Sequence, residues 1–282
     1  MVFSRRQFMK AGMVSAGGAI LLGTYSVFIE RLHFQVNRYR INLPRLPEAF
    51  DGFRILHLTD LHYGPYQGWN YIEKAVEKAS GISCDIIALT GDYMHKTHDP
   101  RKVRRMWKAL NQPKAPGGVF NVLGNHDHWA GHELAMELLE TSGQSLRDKT
   151  TSLTRRGERI HLGGAGDFWE DHFEIAPIFR DIPEDEFRIL LAHNPDSIDT
   201  IQGPPMDLIL SGHTHGGQIV LPFFGAPQLP VKNKIYSQGL IPTENGPVFI
   251  TRGIGTAILP IRFNCPPEIA ILELRKSQSS LI

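Results

Sequence analysis

Cysteine is nearly missing from this 282-residue chain, which has only Cys84 and Cys265. Two residues so far apart supply neither a disulfide scaffold nor a thiolate zinc module. Cys84 opens the apolar run CDIIAL and reads as a buried free thiol. An excess of one charge is missing too. Thirty Lys and Arg against 29 Asp and Glu leave a formal net charge of +1, which excludes a protein held to nucleic acid by bulk electrostatics. There is no P-loop and no G-x-S-x-G elbow, and GGAGD (163–167) lacks the G-x-G-x-x-G spacing, so it reads as a loop. Beyond about Arg31 no long linker, low-complexity tract or repeat interrupts the chain. With 41% hydrophobic and 21% charged residues, it can bury the core of one large α/β domain or two small ones.

The N-terminus stands apart. SRRQFMK (Ser4 to Lys10) precedes nineteen uncharged residues, 11–29. A basic segment followed by such a run is a secretory signal or a membrane anchor rather than part of a fold. Arg5 and Arg6, with Phe8 and Lys10 behind them, resemble a bacterial twin-arginine export signal, and the Gly-rich, moderately apolar run suits that route. The alternative is an ordinary basic start to a transmembrane helix. No A-x-A cleavage site comes after it; Thr24-x-Ser26 is a poor substitute. Export to the periplasm or cell envelope is expected, with residues 11–29 able to stay behind as an anchor and the basic residues left inside. The expected division is therefore 1–30 as signal or anchor and 31–282 as the folded domain.

From Arg31 onward the chain repeats one pattern, a short apolar run and then a polar turn. FRILHL precedes TDLH (59–62), CDIIAL precedes TGD (90–92), and GVFNVL precedes GNHD (124–127). FRILLA leads to HNPD (193–196) and MDLIL to SGHTH (211–215). Runs of this length bounded by turn residues read as buried strands. Helical patterns lie between them, NYIEKAVEKAS and PRKVRRMWKALNQ before the second and third runs and HELAMELLETSG after the third. GERIHLGG, GPVFITRG and PPEIAILEL read as later strands with fewer helices. The expectation is an α/β fold built as a two-sheet β-sandwich flanked by helices.

Ligands in α/β sheets collect where strands end, so the five turns can share one site. They supply Asp60 and His62, Asp92, Asn125 with His126 and Asp127, His193, and His213 with His215. Carboxylate and imidazole without thiolate suit Zn, Fe or Mn. The set exceeds what one tetrahedral ion uses, so two divalent ions sharing a bridging carboxylate are the economical reading, an arrangement that clamps a phosphate ester. Each piece alone is weak. Gly91-Asp92 also fits a plain turn, and Asn125-His126-Asp127 also fits a helix N-cap. All five in order are hard to assign to chance.

The order D-x-H, G-D, G-N-H-D, H, G-H-x-H resembles the calcineurin-like metallophosphoesterase superfamily over roughly residues 50 to 275. SGHTHGGQI and the paired arginines look most like its small exported bacterial phosphodiesterases. The resemblance implies that Asp60, His62 and His215 hold the first metal, that Asp92 bridges, and that Asn125, His193 and His213 complete the second. It further implies that His126 contacts the phosphoryl oxygens or protonates the leaving group, with Asp127 orienting its ring. A phosphate-ester substrate, a twin-arginine translocase during export and a membrane surface are the implied partners; no nucleic-acid partner is evident.

Other residues keep two readings. Gly216 and Gly217 either turn the chain sharply or leave room for phosphate. His57 is expected to be packed in its strand, and His95 and His98 to lie in a loop near Asp92. His128 and Trp129 either line the pocket or begin the helix. The stretches 167–174 and 220–230 read as substrate rim, membrane contact or self-packed surface loops. Two competing functions remain: a membrane-associated pyrophosphohydrolase of a nucleotide-linked lipid such as UDP-2,3-diacylglucosamine, and a non-catalytic metal-stabilised binding module. Export counts against the first, because such lipid precursors are cytoplasmic. The spare His126 and the number of ligands count against the second.

Overall fold

The computed structural model of the chain describes residues 5–277 except His98 and His172, so the reading of His98, and Ser4 at the head of the basic segment, lie outside the described residues. Helix α1 (Arg5–Phe28) comes first, and a sandwich of two sheets comes after it. The first sheet holds β1 (Gln35–Leu43), β2 (Arg54–Leu58), β3 (Ile86–Leu89), β4 (Val119–Asn121) and β11 (Glu268–Lys276), in the order β1-β11-β2-β3-β4. The second holds β5 (Lys149–Arg155), β6 (Glu158–Gly164), β7 (Phe187–Leu191), β8 (Leu208–Ser211), β9 (Gly239–Ile241) and β10 (Val248–Ile250), in the order β5-β6-β7-β8-β10-β9. The runs β2-β3-β4 and β6-β7-β8-β10 are parallel throughout. Their C-terminal ends, where the five polar turns sit, therefore face one way within each sheet.

The apolar runs are unbroken because both faces of these strands are buried. In β2 and β3, Ile55, Ile86 and Ala88 point between the sheets and meet Ile189, Leu208 and Phe249. Their neighbours Leu56, Leu58, Ile87 and Leu89 point outward, under α2 (Trp69–Ser80), α3 (Pro100–Leu110) and α4 (Asn125–Thr141). In the second sheet Leu190 and Ile209 face outward against Ile198, Met206 and Tyr236, which belong to a 3-10 turn (Pro195–Thr200) and loops. The period of two thus assigns alternate residues of one run to different cores.

Each helix reads from its own sequence. Residues Ile72, Ala75, Val76 and Ala79 form the buried stripe of α2 at helical spacing. Pro100 at the first position of α3 comes after Asp99, whose carboxylate accepts from the Arg101 amide. Residues 125–127, read as a possible cap, form the first turn of α4 with Gly124 at the N-cap, and the helix kinks at Gly131 (φ 147°, ψ 80°).

The base of α1 is tied into the sandwich. Ser26 and Glu30 are buried; the Ser26 carbonyl accepts from the Arg262 amide (3.1 Å), and a Glu30 carboxylate oxygen accepts from the Cys265 amide (2.6 Å). Both cysteines are free and buried, Cys84 as expected.

Candidate metal centre

The strand ends converge. Past β2 and β3 the two loops stay zipped, with the Asp60 amide donating to the Gly91 carbonyl (2.9 Å) and the His62 amide to the Asp92 carbonyl (3.0 Å). The amide of His213, beyond β8, donates to the Asp60 carboxylate (3.0 Å to Oδ2) and so joins the two sheets. Asp60, His62, Asp92, His213 and His215 all adopt left-handed backbone, φ 50–67°. That conformation costs an ordinary side chain about 1 kcal/mol or more at each position. Five such residues in one place mark a site whose surroundings force the side chains inward. Glycines make the close approaches: a Cβ on Gly212 would lie 2.2 Å from Asp60 Oδ2, and one on Gly124 would lie 2.3 Å from Asp92 Oδ1. Gly216 and Gly217 have φ 62° and 80°, and a Cβ on them would meet Cys265 Sγ and the Ala226 side chain. Their freedom therefore serves the turn and its packing on protein.

Two donor clusters result. In the first, His62 Nε2 and His215 Nε2 face each other at 3.0 Å, with Asp60 Oδ1 at 3.8 and 3.3 Å from them. In the second, His213 Nδ1 and His193 Nε2 face each other at 3.2 Å. Asp92 Oδ2 lies between, 3.5 Å from His62 Nε2 and 3.3 Å from His193 Nε2, while its Oδ1 accepts the His126 amide at 2.8 Å. Two nitrogens bound to one ion at about 2.1 Å lie roughly 3.0–3.4 Å apart, so both pairs have the spacing of ligands on a common cation. Asn125 Oδ1 is buried without a hydrogen-bond partner, an orphan that a cation would satisfy. All donors except His126 are buried.

The surroundings fix which ring nitrogen is free. His193 Nδ1 donates to the Thr90 carbonyl at 2.7 Å, leaving the Nε2 lone pair for the site. His213 Nε2 donates to the Pro230 carbonyl at 3.1 Å and leaves Nδ1. Burial pushes the Asp92 carboxyl up, but the charge and hydrogen bond of His193 outweigh it and hold it well below its ordinary range. Asp60 is lowered likewise by His215 and His62 against burial. Burial drives His213 down to about 4 and His126 to about 3, so these rings are neutral, the form that offers a lone pair. His193 moves the other way: burial lowers it, but Asp92 and Asp60 lift it to about 10. The carboxylates thus create a potential that attracts positive charge. The donor set fits a pair of divalent cations.

A match over residues 53–217 to the calcineurin-like phosphoesterase family covers more than half the chain. This chain belongs to that family. The phosphodiesterase YaeI of Escherichia coli (strain K12) is 33% identical over 279 residues, covering 97% of this chain and 100% of that protein. The uncharacterized metallophosphoesterase YkuE of Bacillus subtilis (strain 168) is 30% identical over 285 residues, covering 97% and 98%. The UDP-2,3-diacylglucosamine pyrophosphatase LpxG of Chlamydia trachomatis is 26% identical over 332 residues, covering 94% and 98%. As a calcineurin-like phosphoesterase the chain is a metal-dependent hydrolase of phosphoesters that uses two divalent metals.

The carboxylate of Asp127, expected to orient the His126 ring, is hydrogen-bonded to backbone amides instead. Its Oδ2 accepts from the amides of Asp92 (2.8 Å) and Gly124 (3.1 Å), and its Oδ1 from those of Tyr93 (2.9 Å) and Met94 (3.0 Å). His126 Nδ1 is buried without a partner. As the third residue of α4, Asp127 has its carboxylate aimed back at the helix start and the neighbouring Asp92 loop, which leaves no lone pair directed at His126. Burial and Asp92 push its carboxyl up to about 7, against the pull of the Gly124 and Met94 amides.

Several neighbours of the centre were not singled out by the motifs. His95 Nδ1 lies 3.4 Å from His62 Nδ1, and its ring is 5.2 Å from that of His126. Trp129 and Trp169 form walls, 4.6 Å from the rings of His126 and His213 respectively, and the Trp129 indole donates to Glu170 at 2.8 Å. Trp129 therefore both belongs to α4 and borders the site. The fully buried Arg262 donates to the carbonyls of His215 (3.0 Å) and Arg252 (2.7 Å), bracing the second-histidine turn. His95, three residues after Asp92, Trp129, directly after G-N-H-D, and Trp169, within the 167–174 stretch, each stand where a pocket or rim reading was open, whereas Arg262 has no such local signal. His57 is packed as expected, its Nε2 2.8 Å from Thr90 Oγ1.

Proposed function

We propose that this chain hydrolyses phosphodiesters on the extracytoplasmic side of the membrane. Asp60, His62 and His215 hold one divalent cation, Asn125, His193 and His213 hold the other, and Asp92 is shared. The observation that carries the reading is Asp92 Oδ2, within 3.5 Å of a donor nitrogen in each cluster. When bound, the two cations supply a water nucleophile at neutral pH and neutralise charge on the phosphoryl group.

The chain's own residues do the rest. The His126 amide on Asp92 Oδ1 keeps the other oxygen turned toward both clusters. The His126 side chain, half-buried beside His62 and Trp129, is placed to donate a hydrogen bond to a phosphoryl oxygen or the leaving oxygen. Trp129 and Trp169 limit solvent access and offer flat faces to the ester's organic groups. Mn, Zn and Fe all match this donor chemistry.

The extracytoplasmic placement rests on Arg5 and Arg6 ahead of an apolar helix; the segment Met13–Leu32 has mean hydropathy 1.4 and is long enough to cross a membrane. The twin-arginine translocase would then be its export partner, and α1 its anchor. The second reading, cleavage of a pyrophosphate in a nucleotide-linked lipid, is favoured by the similarity to LpxG together with α1. Metal-loaded full-length protein, given a soluble aryl phosphodiester, its monoester and a nucleotide-linked lipid, separates the two. Diester turnover that external protease removes from spheroplasts, and that disappears on Arg5→Lys/Arg6→Lys substitution, supports the first reading. Exclusive turnover of the lipid, with the domain protected from external protease, supports the second. His126→Ala with unchanged turnover would remove the role given to His126.

A further inference from the structure

Four large apolar side chains sit in solvent on two loops: Phe223 (104% exposed), Phe224 (85%), Ile258 (71%) and Leu259 (49%). Phe223 and Ile258 also carry left-handed backbone, φ 68° and 58°. Bulky and β-branched residues are genuine outliers there. Each pays for strain and for exposed apolar surface, with no packing inside the chain to offset either.

The two loops are joined. The Val220 amide donates to the Phe263 carbonyl (2.9 Å), Gln218 Nε2 to the Ala257 carbonyl (2.9 Å), and the Ala257 amide to Gln218 Oε1 (2.6 Å). They also adjoin the foot of α1. Pro222, Phe263 and Pro266 line one cleft with Tyr25 and Ile29, and the Arg262 amide binds the Ser26 carbonyl. Above that foot α1 is exposed over Met13–Gly23, and Phe28, Ile29 and Leu32 are exposed at its base. The cleft, which His33, Gln35 and Asn264 also line, thus sets the foot of the helix beside the Pro222 end of the two loops.

We propose that the 221–225 and 257–261 loops form a lipid-docking surface that inserts into the bilayer interface beside α1. This rests on reading α1 as a retained membrane anchor. A helix rooted at this edge brings the bilayer to this edge. Above its rooted base α1 runs from Arg5 to Tyr25, about 30 Å, close to the hydrocarbon thickness of a bilayer, with Arg5 and Arg6 at the far end. No second protein is needed to cover Phe223 and Ile258, because lipid already lies at their side. The docked edge borders the metal centre: the Arg31 guanidinium donates to the Tyr66 carbonyl (2.8 Å), and the Tyr66 ring lies 5.3 Å from His95. The chain also runs directly from His215 into the Phe223 loop. Docking therefore holds the mouth of the site against the lipid surface, where phosphoesters with apolar tails are presented.

The test uses the full chain reconstituted in vesicles of equal parts phosphatidylcholine and phosphatidylglycerol. Phe223→Cys, Ile258→Cys and, as a control on the far hairpin, Arg156→Cys each carry an environment-sensitive dye; native Cys84 and Cys265 are buried. Nitroxides on the lipid acyl chains should quench the dyes at 223 and 258 at least about twofold more than the dye at 156, the contrast expected if the first two enter the interface. In a Phe223→Asn/Ile258→Asn variant, quenching of a dye at Leu259→Cys should fall to the control level. Asn tolerates left-handed backbone, so melting temperature should hold or rise, and turnover of a soluble aryl phosphodiester should be unchanged. Equal quenching at 223, 258 and 156 in protein that stays with the vesicles overturns the docking surface while leaving the anchor standing. Protein released from the vesicles by alkaline carbonate overturns both. Loss of soluble-ester turnover in the Asn variant would show that these loops serve the site directly and would overturn the proposal.

Discussion

Replacing Asp127 with Asn tests whether this carboxylate serves the Asp92 loop or His126. The carboxylate accepts four backbone amides, two on each oxygen. Asn keeps the shape but turns one oxygen into an NH2 group, so two buried N–H donors face a third donor. A hydrogen bond to a charged group contributes about 1.5–3 kcal/mol, and two such losses come to roughly 3–6 kcal/mol. That is a large share of a total stability of about 5–15 kcal/mol. The chain should still fold, with a melting temperature lower by roughly 6–15 °C. The experiment belongs at pH 8, above the value of about 7 to which burial and Asp92 push this carboxyl, so that the ionised form is compared with its neutral isostere. Scanning fluorimetry, cation titration and aryl phosphodiester turnover should all shift together, because the loop that carries Asp92 loosens. An unchanged melting temperature and cation affinity, with turnover lowered to the level of His126→Ala, would refute the clamp and restore Asp127 as a partner of His126.

The same geometry sets other outcomes. Gly212→Ala places a methyl 2.2 Å from Asp60 Oδ2, so cation affinity should fall at least about tenfold, as expected when a ligand is displaced; titration calorimetry reads it. Chelation should abolish diester turnover, and Mn, Zn or Fe should restore it, without loss of the folded circular-dichroism spectrum. Glu268 is pushed up by burial but held down to about 2 by Arg252 and Asn37. Its folded pKa lies below the usual 4.5, so it stabilises the fold above pH 4.5 and loses that contribution as pH falls through 2. The gap corresponds to roughly 3 kcal/mol. Denaturant unfolding of Glu268→Gln should accordingly show lower stability near neutrality and a flatter profile between pH 4.5 and 2 than the parent chain.

The architecture was legible where strands are buried on both faces. IIAL and ILHL stand out because alternate residues feed two cores, while the two-sheet reading comes from the later runs GERIHLGG, GPVFITRG and PPEIAILEL, which have fewer helices between them. The edge strands β1 and β5 gave no such signal. QVNRYRINL and KTTSLTR are half-exposed, and their polar faces resemble loop composition. The candidate metal donors were legible because each follows a buried run and all belong to short, ordered patterns. Arg262 reaches the centre through tertiary packing alone, so no spacing announces it, and the stretch holding Trp169 could be read as a rim without a partner being assigned to it. Asp127 shows the converse limit. The G-N-H-D string places it next to His126, but its side-chain direction is set by the first turn of α4 and the Asp92 loop.

Cation content and coupling in the Mn-reconstituted full chain test the centre most directly. Asp92 shared between the two clusters predicts two ions per chain and an exchange-coupled electron paramagnetic resonance spectrum. Asn125→Ala, which removes a donor from one side, should bring the content toward one ion and leave an uncoupled signal. One ion per chain in the parent protein, or two that show no exchange coupling, would contradict the shared Asp92.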